Sequence, residues 1–157
     1  MTLKQLSDLD LEAQHKARPN FPKEYLVRTK FSDTTANGLT KAVVTFLNLK
    51  GHRADRISSS GRYIDDSKIV TDVTGAQRVL GKGKWIKGQT RKGYSDINST
   101  IFGFSVQIEI KMKDKVSKEQ IAFAEAERKA GGQYWVVRSF EEFIKNYTQF
   151  VEELNKV

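Results

Sequence analysis

Asp96, Glu109 and Lys111 are the side chains of this chain whose types and spacing could do chemistry together. From Phe104 to Met112 the apolar Val106, Ile108 and Ile110 alternate with Gln107, Glu109 and Lys111, the period of a strand buried on one face, so Glu109 and Lys111 point the same way. Asp96 lies near the start of an earlier extended run, Tyr94 to Ile101, and Phe102-Gly103 can turn the chain so that the two runs pair. One aspartate, one glutamate and one lysine then meet on neighbouring strands. Two ionised carboxylates a few ångströms apart repel, so either one takes up a proton or a cation sits between them, and a lysine alongside favours the ionised pair. The plainer reading is a solvent-facing cross-strand ion pair between Glu109 and Lys111, worth about 0.2–1 kcal/mol.

The elements that would position these groups can be read in order. Leu3, Leu6 and Leu9 have helical spacing before Pro19 and Pro22 interrupt, which predicts a short helix and an arm over 1–34. Asp33-Thr34-Thr35 can cap a helix whose apolar face is Leu39, Val43, Phe46 and Leu47 and which ends at Gly51. Arg53 to Ser58 reads as a short strand and Ser58 to Gly61 as a loop. From Arg62 to Lys92 four glycines divide the chain, with short strands at Ile69–Val73 and Val79–Leu80, as in a flexible basic hairpin or flap. Ser117 and Gln120 have capping-box spacing for a helix closed by Gly131-Gly132. Tyr134 to Val137 is apolar on both faces, as in an interior parallel strand. Ser139 and Glu142 then form a second box, before a helix striped with Phe140, Phe143, Ile144, Tyr147, Val151 and Leu154. The fold class is therefore α/β: a mixed sheet flanked by helices, with one main domain over 35–157 that carries a basic insert at 62–92.

Composition narrows the chemistry. With no cysteine, neither a disulfide framework nor a thiolate zinc site is possible, and His15 and His52, read as surface residues, do not make a zinc site. A bound metal should be a hard cation held by oxygens, magnesium or manganese. No apolar run suits a signal peptide or a bilayer span, which predicts a soluble, cytoplasmic protein without a membrane partner. The formal net charge is +8, and Lys68, Arg78, Lys82, Lys84, Lys87, Arg91 and Lys92 face Asp72 alone in one window just before Asp96. A polyanion such as DNA is the partner this favours over a solvated loop. Arg56 and Arg62 flank the serine loop and suit phosphate contact or ordinary surface charge equally, while Trp85 suits either base stacking or anchoring the flap.

The ordered set Gly93-Tyr94-Ser95-Asp96, Ile108-Glu109-Ile110-Lys111, Ser117-Lys118-Glu119-Gln120 and Gly131-Gly132-Gln133-Tyr134 resembles the PD-(D/E)XK nuclease superfamily. Within it, the set is most similar to the VRR-NUC and Holliday-junction-resolvase-like members of phages and mobile elements. The resemblance spans roughly Thr35 to Phe143 and implies a restriction-endonuclease-like αβββαβ core. It implies a magnesium-dependent endonuclease acting on branched or otherwise structured DNA, with manganese able to substitute and no small-molecule cofactor. Asp96 and Glu109 would ligate the metal, the Ile110 carbonyl would complete the protein ligands, and Lys111 would orient or deprotonate the attacking water. Gln120 would hold the water or a phosphate oxygen, although a plain capping role accounts for it equally well. Where many relatives offer an acid from the first helix this chain has Asn37, and without that acid the same fold could serve as a DNA-binding module that does not turn over. Resolvase-like relatives pair two-fold, and Leu3, Leu6, Leu9 and Leu11 could form the apolar face of a homodimer or pack on the chain's own last helix.

Overall fold

The computed structural model describes residues 1–57, 61–86 and 93–156. These fall into two compact units, one formed by Met1–Ile57 with Lys92–Val157 and the other by Ser58–Arg91. The first unit holds four α-helices among the described residues: α1 (Leu3–Ala17), α2 (Ala36–Leu49), α3 (Lys118–Lys129) and α4 (Phe140–Leu154). With them are strands β1 (Arg53–Arg56), β6 (Ile97–Ile101), β7 (Phe104–Ile110) and β8 (Gln133–Val137), which form one mixed sheet in the order β1-β6-β7-β8. The second unit holds β2 (Arg62–Ile64) paired with β5 (Lys84–Ile86), and β3 (Lys68–Thr71) paired with β4 (Gln77–Leu80).

The sheet is antiparallel from β1 to β7 and parallel between β7 and β8, because α3 carries the chain back across one face. Phe102 (φ 50°) and Gly103 (φ 86°) both take positive φ, the two-residue turn whose twist suits a tight hairpin. The left-handed Phe102 is covered by the His52 ring, 4.6 Å away edge-on. His52 is thus not the bland surface residue expected: its Nε2 lies 2.9 Å from the Tyr147 hydroxyl, and burial, then Lys50, lowers its pKa.

One sheet face packs Ile97, Ile101, Ile108, Ile110 and Val137 against Leu39, Val43, Phe46 and Leu47 of α2 and Phe140, Phe143 and Phe150 of α4. The other face meets α3 through Phe123, Ala124 and Tyr134. Two expectations change here. The strand carrying Glu109 is not half-solvated; Val106 to Ile110 are all buried, because helices cover both faces. β8 in turn is an edge strand, not an interior one, and its apolar character reflects cover above and below.

The cap of α2 is Thr35, whose hydroxyl accepts from the Gly38 N–H, whereas Asp33 accepts from the Phe140 N–H at the start of α4. Ser139 caps α4, but Glu142 turns back to the Arg138 N–H at 2.7 Å, so the second box is only half formed. In the second unit, strands appear where expected at β3 and β4, and β2 and β5 add a ribbon that short runs between glycines did not reveal.

The leucine helix does not present the apolar face expected for pairing. α1 packs on α2, Leu6 is fully buried in the shared core, and Leu3 leans on the same core. The arm returns along α1 through Ser7 Oγ donating to the Thr29 carbonyl at 2.7 Å and through the Lys23–Glu12 and Arg28–Asp8 ion pairs. Leu9, 41% exposed, is what remains outside. Leu6→Ala should therefore cost about 3 kcal/mol, as expected for a core cavity, and Leu9→Ala less than about 0.5 kcal/mol. Urea unfolding followed by circular dichroism measures both, and equal losses would mean that α1 is not docked as described.

Candidate functional site

The sheet register sets the site. β6 begins at Ile97, opposite Ile108 of β7, which leaves Asp96 just before the strand, beside the last residues of β7. Asp96 is fixed there from both ends: its carbonyl accepts from the Ile57 N–H at 2.8 Å, and its Oδ2 accepts from the Ile110 N–H at 2.9 Å. In extended chain the N–H and C=O of one residue point the same way, so the Ile110 carbonyl also faces Asp96. Glu109 points to the opposite sheet face from Ile108 and Ile110, toward α3, together with Gln107 and, across the parallel register, Tyr134 and Val136.

Glu109 is only 3% exposed. Its Oε1 accepts from Lys111 Nζ at 3.1 Å and from Gln120 Nε2 at 2.5 Å. The Gln120 amide works in two directions, because its Oε1 also accepts from the Ser117 N–H at 2.9 Å while Ser117 Oγ accepts from the Gln120 N–H at 3.2 Å. The capping role and the site role, which looked like alternatives, are one arrangement. Gly93 brings α3 close: its φ of +81° is left-handed, and a Cβ there would strike the Glu119 backbone and come within 2.9 Å of the Gln120 nitrogen. A neighbouring polar network stiffens the same face, with Ser95 Oγ donating to Gln107 Oε1 at 2.7 Å and Gln107 Nε2 donating to Asn98 Oδ1 at 3.2 Å.

Burial raises the Glu109 pKa above the ordinary glutamate value, and the Asp96 charge adds to this, while Lys111 and Gln120 pull the other way. Tyr134, 4% exposed, is a member of the site that its apolar run in the sequence does not announce. Burial first, then the Glu109 and Asp96 charges, push its phenol well above the ordinary tyrosine value. Parity with Glu109 across a parallel pair is the signal that could find it. Glu109 Oε2 and the Tyr134 hydroxyl are buried and make no well-formed hydrogen bond among the described residues, although the two groups lie close enough to interact with each other.

An unpartnered, buried carboxylate oxygen is what a hard cation would coordinate. Asp96 has one oxygen committed to Ile110, leaving Oδ1, and the Ile110 carbonyl is on the same side. Among the described residues no cluster of three or more His, Asp or Glu side chains forms, so a cation here would draw on Asp96, Glu109 and the Ile110 carbonyl and fill its remaining positions with water or phosphate oxygens. Asn37 adds no ligand charge, and its Oδ1 accepts from Arg56 Nη2 at 2.7 Å. This places Arg56, exposed and opposite Ile97, at the same sheet end as Asp96. Arg62, Lys82 and Lys84 are exposed in the second unit, and Lys87, Arg91 and Lys92 lie outside the described residues.

Comparison with known proteins finds no matching family model, no matching curated protein and no matching solved structure. No helix among the described residues is long and apolar enough to cross a membrane.

The raised proton affinity of Glu109 fixes the sign of a pH effect. A carboxyl whose pKa rises on folding contributes stability that is complete below the unfolded value of 4.5 and is lost as pH climbs through the folded value. Relative to Glu109→Gln, the metal-free wild type should thus lose thermal stability as pH rises from about 4.5 to 7. Magnesium should restore it near neutrality and do little in the variant. Melting curves of the two proteins over that range test this, and a parallel pair of profiles would mean that Glu109 is not desolvated.

Proposed function

We propose that the chain is a divalent-metal-dependent DNA endonuclease of the PD-(D/E)XK type, related to the VRR-NUC and Holliday-junction-resolvase-like enzymes and acting on branched or structured DNA. The observation that carries this reading is the convergence of Asp96, Lys111 and Gln120 on the buried Glu109 carboxylate, whose second oxygen has no well-formed hydrogen bond among the described residues. The order α2, β1, β6, β7, α3, β8 supports it, being the αβββαβ order such a core requires once the second unit is set aside.

Asp96, Glu109 and the Ile110 carbonyl would hold magnesium or manganese, which when bound supplies a nucleophilic water near neutral pH and positive charge for the phosphoryl oxygens. The Lys111 ammonium favours the ionised form of Glu109 and has further N–H groups to direct at the attacking water or a phosphate oxygen. Gln120 holds the same oxygen of Glu109 and retains a second amide N–H for the same purpose. Arg56 at the sheet end and the exposed Arg62, Lys82 and Lys84 supply positive charge for the DNA backbone, and Lys87, Arg91 and Lys92 extend the basic stretch in sequence. Cutting both strands of a junction calls for two such sites. A homodimer that provides them would pair through a surface that does not include Leu6, which α1 buries in its own core.

One observation favours a second reading, a DNA-binding module without turnover: α2, the first helix of the αβββαβ order, offers Asn37, already held by Arg56, in place of a third acid. Incubation of labelled duplex, flapped, single-stranded and four-way-junction DNA with magnesium separates the two. Asp96→Asn should abolish cleavage while leaving the melting temperature near that of the wild type, because it removes ligand charge from a half-buried site and opens no cavity. Lys111→Ala should lower turnover by about 100-fold or more while shifting the magnesium midpoint much less. Wild-type rates in the Asp96 variant, or no cleavage of any substrate by the wild type, would remove the enzyme reading. Replacing Lys82 and Lys84 by alanine should weaken duplex binding and reduce the slope of log affinity against log salt by about 0.9 for each phosphate that is no longer neutralised. Fluorescence anisotropy at several salt concentrations reads that slope, and an unchanged value would mean that the DNA backbone is held by other residues.

A further inference from the structure

The second unit is a pair of thin ribbons with no buried residue in their strands. A two-stranded ribbon buries little and usually hides its large aromatic rings against something. This one displays them. Tyr63 stands directly opposite Trp85 in the β2–β5 register, and the two are 61% and 63% exposed. Opposite residues of an antiparallel pair share a face, as do residues two apart along each strand, so Gly61, Tyr63, Gly83 and Trp85 lie on one side of the ribbon.

The glycines seat the rings. A Cβ on Gly83 would overlap the Tyr63 phenol, and one on Gly61 would strike the Ile86 carbonyl and come within 2.6 Å of Trp85 Nε1 and 3.0 Å of its ring carbon Cε2. Each ring therefore leans diagonally across the ribbon onto the glycine of the other strand, a position that any side chain larger than hydrogen would deny it. Among the described residues neither ring touches another aromatic ring. The result is two rings on one face, each leaning on a glycine of the other strand, with more than half of each residue left to solvent.

The surrounding charge points to what would cover them. Within Ser58–Arg91 seven basic residues stand against three acidic ones, Asp65, Asp66 and Asp72. Asp65 is used in a local turn with the Ser67 N–H, and Asp72 by Thr74, the Ala76 N–H and Arg78. Among the described residues Arg62, Lys68, Lys82 and Lys84 have no ion-pair partner. Two π surfaces inside an uncompensated positive field match unpaired bases on a phosphate backbone, since stacking needs bases free of their partners and tolerates any sequence. A fully paired duplex offers its phosphates but no free base faces.

We infer that Tyr63 and Trp85 form a stacking platform for unpaired bases, by which the protein selects DNA with a single-stranded stretch over uninterrupted duplex. This rests on the DNA reading above and deepens it by naming the substrate class. It concerns binding and requires no cleavage, so the two can fail separately.

The experiment is equilibrium binding by the full-length protein, in EDTA, to fluorescein-labelled oligodeoxythymidylate and to a duplex of equal length. Tyr63→Ala and Trp85→Ala should each weaken single-strand binding about tenfold, within the range for loss of one base–aromatic stack, and change duplex binding less than about twofold. The salt slope should stay as in the wild type, since no charge is removed. Trp85→Phe keeps a ring and should recover most of the affinity, which separates stacking from collapse of the ribbon. Equal losses on single strand and duplex, or none on the single strand, would overturn the platform even if the protein proves to be a nuclease. Loss of binding to anionic phosphatidylserine vesicles in Trp85→Ala, with single-strand affinity unchanged, would overturn it in favour of a lipid surface. Selective loss on the single strand would sustain it even if no DNA is ever cut.

Discussion

Glu109 is 3% exposed between β7, β8 and α3, and a carboxylate that deep stays ionised only where other groups replace its lost hydration. Lys111 and Gln120 replace part of it on Oε1, whereas Oε2 has no well-formed hydrogen bond among the described residues, the nearby Tyr134 hydroxyl included. The surrounding structure can be understood from that imbalance. β7 must be covered on both faces to bury the group, α3 must begin where Gln120 can reach it, and Asp96 must be held close enough for its charge to count. A core strand with isoleucine or valine at position 109 would avoid the cost, which is what singles out this incompletely satisfied acid as the candidate functional group.

The positioning of α3 shows how few residues are needed to build such a site. One amide, Gln120, closes the capping box with Ser117 and also contacts Glu109, so the helix start and the buried carboxylate are placed by a single side chain. Gly93 lets the backbone ahead of Asp96 lie against the first turn of the same helix. The Ile110 N–H, which would otherwise be a free end of the β7 ladder, is used to fix Asp96. Each of these contacts joins segments far apart in the chain while also completing a local structural requirement.

Such double duty explains what could be read from the sequence. Caps and periodicity are local, so α2, α3, α4, the Phe102-Gly103 hairpin and the Asp96, Glu109 and Lys111 set are visible in the residues alone. What covers the second face of a strand is not local. Gln107 and Glu109 look solvent-facing by alternation, yet α3 buries them; Tyr134 looks merely apolar, yet its hydroxyl faces two carboxylates. Leu6 looks available for a partner because nothing in the first residues announces that α1 returns to α2. Glu142 has the right spacing to close a box with Ser139 and instead accepts from Arg138, a choice between adjacent N–H groups that spacing alone does not decide.

The place where the second unit joins the chain has a consequence for how such a protein can change over time. β1 and β6 are antiparallel neighbours, Arg56 opposite Ile97, with the Ile57 N–H bonded to the Asp96 carbonyl, so the two ends of the intervening stretch are already side by side. Topologically it is the loop of a hairpin, grown large. The entropy of closing a loop rises by only about 0.6 kcal/mol for each doubling of its length, so a short turn or a whole folded module can occupy that position at similar cost to the sheet. What sits between these strands can therefore be exchanged while the residues around Glu109 stay as they are.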